Sequence, residues 1–481
     1  MSQRRLLPRS RLALGLAVAL AAAPAFAQQT SSALQGLVVG ADGAPITNAD
    51  VIITHTASGT ISRATTDENG RYNARGLRVG GPYTVLVMAD GFQSKSTENL
   101  FLQLGQTGNA NLFLEPAAQQ LEQIEVIAST QSNIFSPDAI GAGTTISEAT
   151  IRQLPSIRRD LQDYARLDPR ISQTDKERSE ISALGQNSRF NSITIDSVTT
   201  NDTFGLESNN LPTLRQPISL DAIEEVQINI VNYGVEQRGY TGANINAVTK
   251  SGTNEFSGSV YGTYRDGDWV RETDDRGVEF NGFEKEETYG FTFGGPLLKD
   301  RLFFFLNYDK TEISAPGPDL GSGPLDRATN GISSAQLADA ISIAQGFGFQ
   351  PGDLNPGGLS TEVETWLGRF DWNISDYHRA ALRVSTTDQA EAILPGFGSN
   401  FFSLSSYWYS QEKEFDNYAL ELFSDWTDSF STEFRVSYRD YLSAPALFGR
   451  QPQVQVDFGN ANFRFGTEQF RHANLLETKT L

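Results

Sequence analysis

The side chains that most often do chemistry are sparse and scattered in this chain. Its three histidines, His55, His378 and His472, lie far apart, and none opens an H-E-x-x-H or H-x-x-E pattern. There are no cysteines, so neither a thiolate metal site nor a disulfide framework is available. Asp67, Asn69 and Gly70 have the opening spacing of a calcium loop but lack its remaining ligands and its bidentate glutamate, so a hairpin turn is expected. Glu224 and Glu225 form an acidic pair that suggests acid–base work. Neighbours on a strand face opposite ways, however, so both are read as solvated charges. No nucleophile, base and orienting group can be assembled. An enzyme is not expected, and neither is a cofactor or a metal.

Recognition by main chain is the chemistry the sequence offers instead. In "QQLEQIEVIAST", Leu121, Ile124, Val126 and Ile127 interleave with Glu122 and Glu125 between small polar flanks. That is an extended strand with no partner in the surrounding sequence: either a solvated linker or a ligand for strand addition to another protein's sheet.

The elements around this segment divide the chain of 481 residues. Residues 1–27 carry Arg4, Arg5, Arg9 and Arg11, a short apolar run from Leu12 to Ala23, and Ala25-Phe26-Ala27. This reads as an export signal cleaved after Ala27. Its removal makes the formal net charge of −20 more negative by four, which argues against nucleic-acid partners. The apolar run is shorter than the ~20 residues of a membrane-spanning helix. An exported chain without such a span is periplasmic, secreted, or a barrel of the outer membrane. Residues 28–118 alternate short strands with Asp42-Gly43, Asn69-Gly70 and Asp90-Gly91 turns, and a β-sandwich of about seven strands is expected. Residues 131–254 read as an α/β unit. One amphipathic helix over Ile151, Leu154, Ile157, Leu161 and Tyr164, capped by Thr145 or Ser147, is followed by strands around Ile193/Ile195 and Val226/Ile228/Ile230.

A different pattern governs residues 255–481. Tyr289, Phe291 and Phe293 alternate with Gly290, Thr292 and Gly294; Leu302, Phe304, Leu306 and Tyr308 share one parity; Phe434, Val436 and Tyr438 alternate with Glu433, Arg435, Ser437 and Arg439. Connections alternate too. Those at 295–301, 373–378 and 427–431 are short, and those at 266–286, 311–361 and 386–415 are long. This is the signature of a transmembrane β-barrel with lipid outside and water within. The aromatic groups Phe401-Phe402 and Tyr407-Trp408-Tyr409 fit either a stacking surface for a ligand or an interfacial girdle.

Two resemblances bear on these readings. Gly36-Leu37-Val38, Asp42 to Ile46, Thr66-Asp67 to Tyr72 and Tyr83 to Phe92 resemble the carboxypeptidase regulatory-like domain, which implies a transthyretin-like sandwich without catalysis. Leu154-Pro155, Arg159-Asp160-Leu161, Leu167-Asp168-Pro169, Ile195 to Val198, Ile223 to Val226, and Gly242 with Val248 to Asn254 resemble the plug landmarks of TonB-dependent outer-membrane receptors of the Oar-like kind. Ser197 and Ala243-Asn244 depart from the family's glycines. The resemblance implies a TonB box at Leu121, Glu122, Ile124, Glu125, Val126 and Ile127, and a plug motif including Leu154, Pro155, Asp196, Gly242, Lys250 and Gly252. The implied partners are TonB with its inner-membrane energising complex, outer-membrane lipid and an extracellular ligand of unread identity.

The expected fold is therefore mainly β, with four parts after the signal. They are the sandwich (28–118), the box (119–130), the plug (131–254) and the N-terminal part of a barrel (255–481). Family barrels have about 22 strands, whereas this region has room for seven or eight and ends in "LLETKTL". A truncated barrel is expected. Uptake is the leading function implied; adhesion or protein secretion, with the sandwich as a binding module, is the alternative.

Overall fold

The computed structural model describes residues 30–117, 141–156, 158–175, 178–204, 207–232, 239–270, 283–314, 332–354, 360–398, 400–427, 430–459, 461–468 and 475–480. The signal and its cleavage site, the box segment, Ile157 and His472 lie outside the described residues.

The N-terminal strands form two sheets. Ser32–Gly40 sits between Arg71–Leu77 and the short strands Thr107–Asn109 and Leu112–Leu114; the other sheet runs Thr60–Thr65, Asp50–His55, Gly80–Met88, Lys95–Leu102. Alternation decides the inner face: Tyr83, Val85 and Val87 are buried while Met88 is exposed. Each fully buried apolar side chain contributes about 1.5–3 kcal/mol. At the Asn69-Gly70 turn, the Asp67 carboxylate accepts from the Asn69 and Arg71 amides, both at 2.8 Å, and Gly70 takes φ +72°. The carboxylate is engaged by the turn itself.

The expected plug is built on a five-stranded sheet ordered Val198–Thr199, Ser192–Ile195, Asn244–Thr249, Ile223–Asn232, Gly141–Ser147. The expected single helix is two short ones, Glu148–Gln153 and Leu161–Ala165. Ser147, not Thr145, caps the first by accepting the Thr150 amide. Pro155 disfavours helical backbone at Leu154, so the helix stops there and Leu154 is left exposed. Ile151, Leu161 and Tyr164 still reach the plug core.

Eight antiparallel strands then form one sheet, the wall: Ser257–Asp266, Lys285–Leu298, Leu302–Ser314, Ser360–Ser375, His378–Ile393, Tyr409–Thr427, Phe430–Leu447 and Leu476–Thr480. The sheet does not close: the first and last of these strands are its edges. Strand parity sorts the side chains. Val260 is 89% exposed, and Tyr289, Trp366, Tyr418 and Tyr438 stand on the same outer face. Tyr308 packs on Trp366 with ring centroids 4.4 Å apart, and Tyr418 on Tyr438 at 6.2 Å. The inner face carries Thr288, Asn307, Thr365, Arg383, Thr387, Asn417 and Glu421, all buried.

Water was the expected neighbour of that inner face. Much of it is packed against the plug instead, because these polar groups find their partners there. Phe303 and Phe305 also face inward and are buried, against the expectation that aromatics mark the outer face. Phe305 joins the plug core. The aromatic groups near residue 400 are neither stacking surface nor girdle. Phe402, Tyr407, Trp408 and Tyr409 are buried. Phe402 joins Phe463, Phe465 and Ile332 in a separate core, built from strands Phe401–Ser403, Val454–Asp457 and Asn462–Phe465 with the helix Ser334–Gly346. The long connections build a small folded unit of their own.

Candidate functional site: the plug–wall contact

The contact between plug and wall is centred on Asp196. It sits in the reversal between strands Ser192–Ile195 and Val198–Thr199, where Asp196 has φ +45° and Ser197 φ +62°. Glycine adopts such backbone freely and serine does so at a cost. The turn aims the Asp196 carboxylate at two elements. It accepts from the Thr249 amide and from the Thr249 hydroxyl, each at 2.8 Å. It also lies 3.0 Å from Nε of Arg383 on the wall.

Two wall arginines complete the arrangement. Arg383 donates to the Ile195 carbonyl at 3.1 Å. Arg369 donates to the Thr249 carbonyl and hydroxyl at 2.8 Å, and grips Asp371 through two hydrogen bonds at 3.0 and 3.1 Å. Arg435 pairs with Glu421 at 2.6 Å. Further along the wall, buried Arg215 of the plug donates to the Arg158 carbonyl, to Asp160 at 3.1 Å and to Thr311 at 3.0 Å, and lies 3.5 Å from Glu286. Lys413 pairs with Glu207, and Gln389 accepts the Leu214 amide at 2.7 Å. Buried ion pairs contribute little net stability, because desolvation offsets their attraction, yet breaking one is costly. Such an interface fixes registry without the irreversibility of an apolar core.

The acidic pair behaves differently from its sequence reading. A bulge between Ile223 and Glu225 breaks strict alternation, and both carboxylates turn towards the sandwich. Glu225 is buried and accepts the Leu104 amide at 2.6 Å; Glu224 lies half-buried against Gly80. Burial, with the neighbouring Glu224 charge adding, pushes the Glu225 carboxyl up to about 8. Burial, with Glu148 adding, pushes Glu224 up to about 7. They are not solvated charges.

The other sequence-derived plug residues are dispersed. Lys250 pairs with Glu148 at 2.7 Å. A Cβ at Gly252 would run into the Phe304 and Gly295 carbonyls, and one at Gly242 into the Asn191 side chain and Phe190 carbonyl. Leu154 and Pro155 end the first helix. Of these, Asp196, Lys250 and Gly252 lie near the Thr249 strand end, where plug meets wall. Sequence reasoning missed Arg215, Arg369, Asp371 and Arg383. The inward parity of charged residues was the available signal, and it was noticed only on the strand of Glu433, Arg435 and Arg439.

Parts of the chain are similar to known proteins. Residues 33–115 match the carboxypeptidase regulatory-like domain, and residues 248–357 match an outer membrane beta barrel domain. The TonB-dependent transporter Oar of Myxococcus xanthus is 29% identical over 306 residues, an overlap covering 59% of this chain and 27% of that relative. Over that overlap the chain is similar to this TonB-dependent transporter. The chain spans about a quarter of that relative's length. Among solved structures, the siderophore receptor PirA of Acinetobacter baumannii superposes with a TM-score of 0.43 at 18% identity, covering 63% of this chain and 40% of that one. The outer membrane transporter YddB of Escherichia coli does so with a TM-score of 0.49 at 12% identity, covering 70% and 44%.

Proposed function

We propose that the complete receptor takes up a ligand across the outer membrane of a Gram-negative cell, driven by TonB and its inner-membrane energising complex. The observation that carries this reading is the chemistry of the plug–wall contact. Asp196, Arg369, Arg383 and Thr249 hold the plug by ion pairs and hydrogen bonds, which can exchange with water when the plug shifts. The sandwich (28–118) and the box (119–130) then lie on the periplasmic side, with the signal cleaved after Ala27. The plug (131–254), with Leu154, Pro155, Asp196, Gly242, Lys250 and Gly252 as its landmarks, closes the lumen of the barrel that begins at 255.

TonB is engaged by strand addition along Leu121, Glu122, Ile124, Glu125, Val126 and Ile127, where main-chain hydrogen bonds supply the affinity. Val126→Pro removes one backbone donor and fixes φ. In the full-length receptor this variant should reach the outer membrane at the normal level and lose binding to the periplasmic domain of TonB by tenfold or more. Unchanged binding, measured by calorimetry, would remove the box from these residues.

A further inference from the structure

The N-terminal sandwich touches both the part that is to move and the part that is to stay. Against the plug and its junction with the wall, the Ala57 carbonyl accepts the Asn254 amide at 2.9 Å, and the Leu104 amide is held by Glu225. The Leu104 carbonyl accepts from Gln227 at 3.2 Å, and Arg78 donates to the Ser251 hydroxyl at 3.0 Å. Against the wall, Asn373 donates to Thr60 at 3.0 Å, Arg63 meets Asp376 at 3.2 Å, and Ser31 donates to Glu433 at 3.2 Å. Asn373 and Asp376 flank a short connection between wall strands, so the sandwich sits at the end of the wall where those connections are.

The composition of this contact is polar. The apolar cluster spanning it is Val79, Leu104 and Val248. Hydrogen bonds that water can replace contribute little each, so such a contact releases more readily than either domain unfolds.

The connectivity gives it a mechanical role. The sandwich's isolated bridge at Pro116 and the first plug strand, which starts at Gly141, lie on either side of the 118–140 connection, within which the box is placed. A pull on that connection is transmitted along two routes. One passes through the plug strands to the wall at Asn254. The other passes back through the sandwich and its contacts with Asn373, Asp376 and Glu433. While those contacts hold, the second route shares the tension.

We propose that the sandwich is a releasable brace, bonded to the plug through Glu225, Gln227 and Ser251 and to the wall through Asn373, Asp376 and Glu433, which must let go before the plug extends. This rests on the reading that TonB pulls at the box, but its test needs neither TonB nor the ligand.

The chain has no cysteine, so an engineered pair is unambiguous. In the full-length receptor, Ala57→Cys with Asn254→Cys would tie the sandwich to the plug–wall junction when oxidised. Single-molecule pulling from a handle at Ser129, with the wall immobilised, should show sandwich release before plug extension in the reduced protein. Oxidation should shift the first plug extension to higher force, reversibly with reductant. Should that pair not fold, Thr60→Cys with Asn373→Cys makes the same tie to the wall. Deleting residues 30–117 should speed amide exchange at 223–232 at least tenfold. Plug extension at the same force in oxidised and reduced protein, or unchanged exchange after deletion, would overturn the brace. Failure of TonB to bind the box would leave these readouts untouched and would count against the uptake reading instead.

Discussion

Asp196 and Glu225 show how single side chains carry this account. Asp196 is buried, with a hydroxyl, an amide and a guanidinium converging on it. Asp196→Ala strands the Arg383 charge and should cost about 3–5 kcal/mol, the range for breaking a buried pair. Amide protection of strand 244–249 across a denaturant series would measure it. Glu225 gives a pH dependence with a definite sign. Its carboxyl is raised in the docked state to about 8, against about 4.3 when solvated. Docking therefore takes up a proton, holds fully below the solvated value and weakens as pH rises through the docked one. The charge that acts on Glu225 is Glu224, itself flanked by Glu148, Lys250, Arg369 and Arg152. Protection of the Leu104 amide, with exchange rates corrected for their intrinsic pH dependence, should fall from pH 5 to pH 9. Glu224→Gln with Glu225→Gln, which keeps an acceptor for the Leu104 amide, should flatten that profile. An unchanged slope would remove these carboxyls as its source. None of this was legible from the sequence, where strict alternation put Glu224 and Glu225 on opposite faces; the bulge that turns both one way leaves no composition signature.

Elements were legible where period and punctuation agreed. The alternation at 289–294 and 434–439 placed the correct faces, because a sheet with one buried side admits a single parity. Helix 145–164 failed because its apolar spacing continues across Leu154-Pro155, where backbone geometry overrides periodicity. The loop unit was missed for another reason: Phe402 meets Phe463 only after the chain returns some sixty residues later. Trp408, 1% exposed, should cost about 3–5 kcal/mol as Trp408→Ala. Its effect should be confined to protection of 401–409 and 462–465 and leave the wall unchanged. Ser197→Gly relieves the φ of +62° and should raise plug stability by about 1 kcal/mol. Exchange at 192–199 would report it, and a loss of protection would refute the strain.

At the scale of the molecule, three layers lie along one axis: a sandwich at the turn end, a plug against the inner wall, and a wall whose outer face is aromatic and aliphatic. The alternation of short and long connections, readable from the sequence, set the direction of that axis. The partners of the inner face were not readable, since Arg369 and Arg383 are paired with groups some 120 to 190 residues away in the chain. The central claim is that the wall's two faces meet different surroundings, lipid outside and plug inside. Single cysteines in the protein, reconstituted in lipid and carrying a fluorophore at Val260, Trp366 or Val436, test it against others at Thr292, Thr365 or Ser385. The account predicts quenching by lipid-borne nitroxides at the first set and not the second. Quenching of both sets by a water-soluble quencher alone would contradict it.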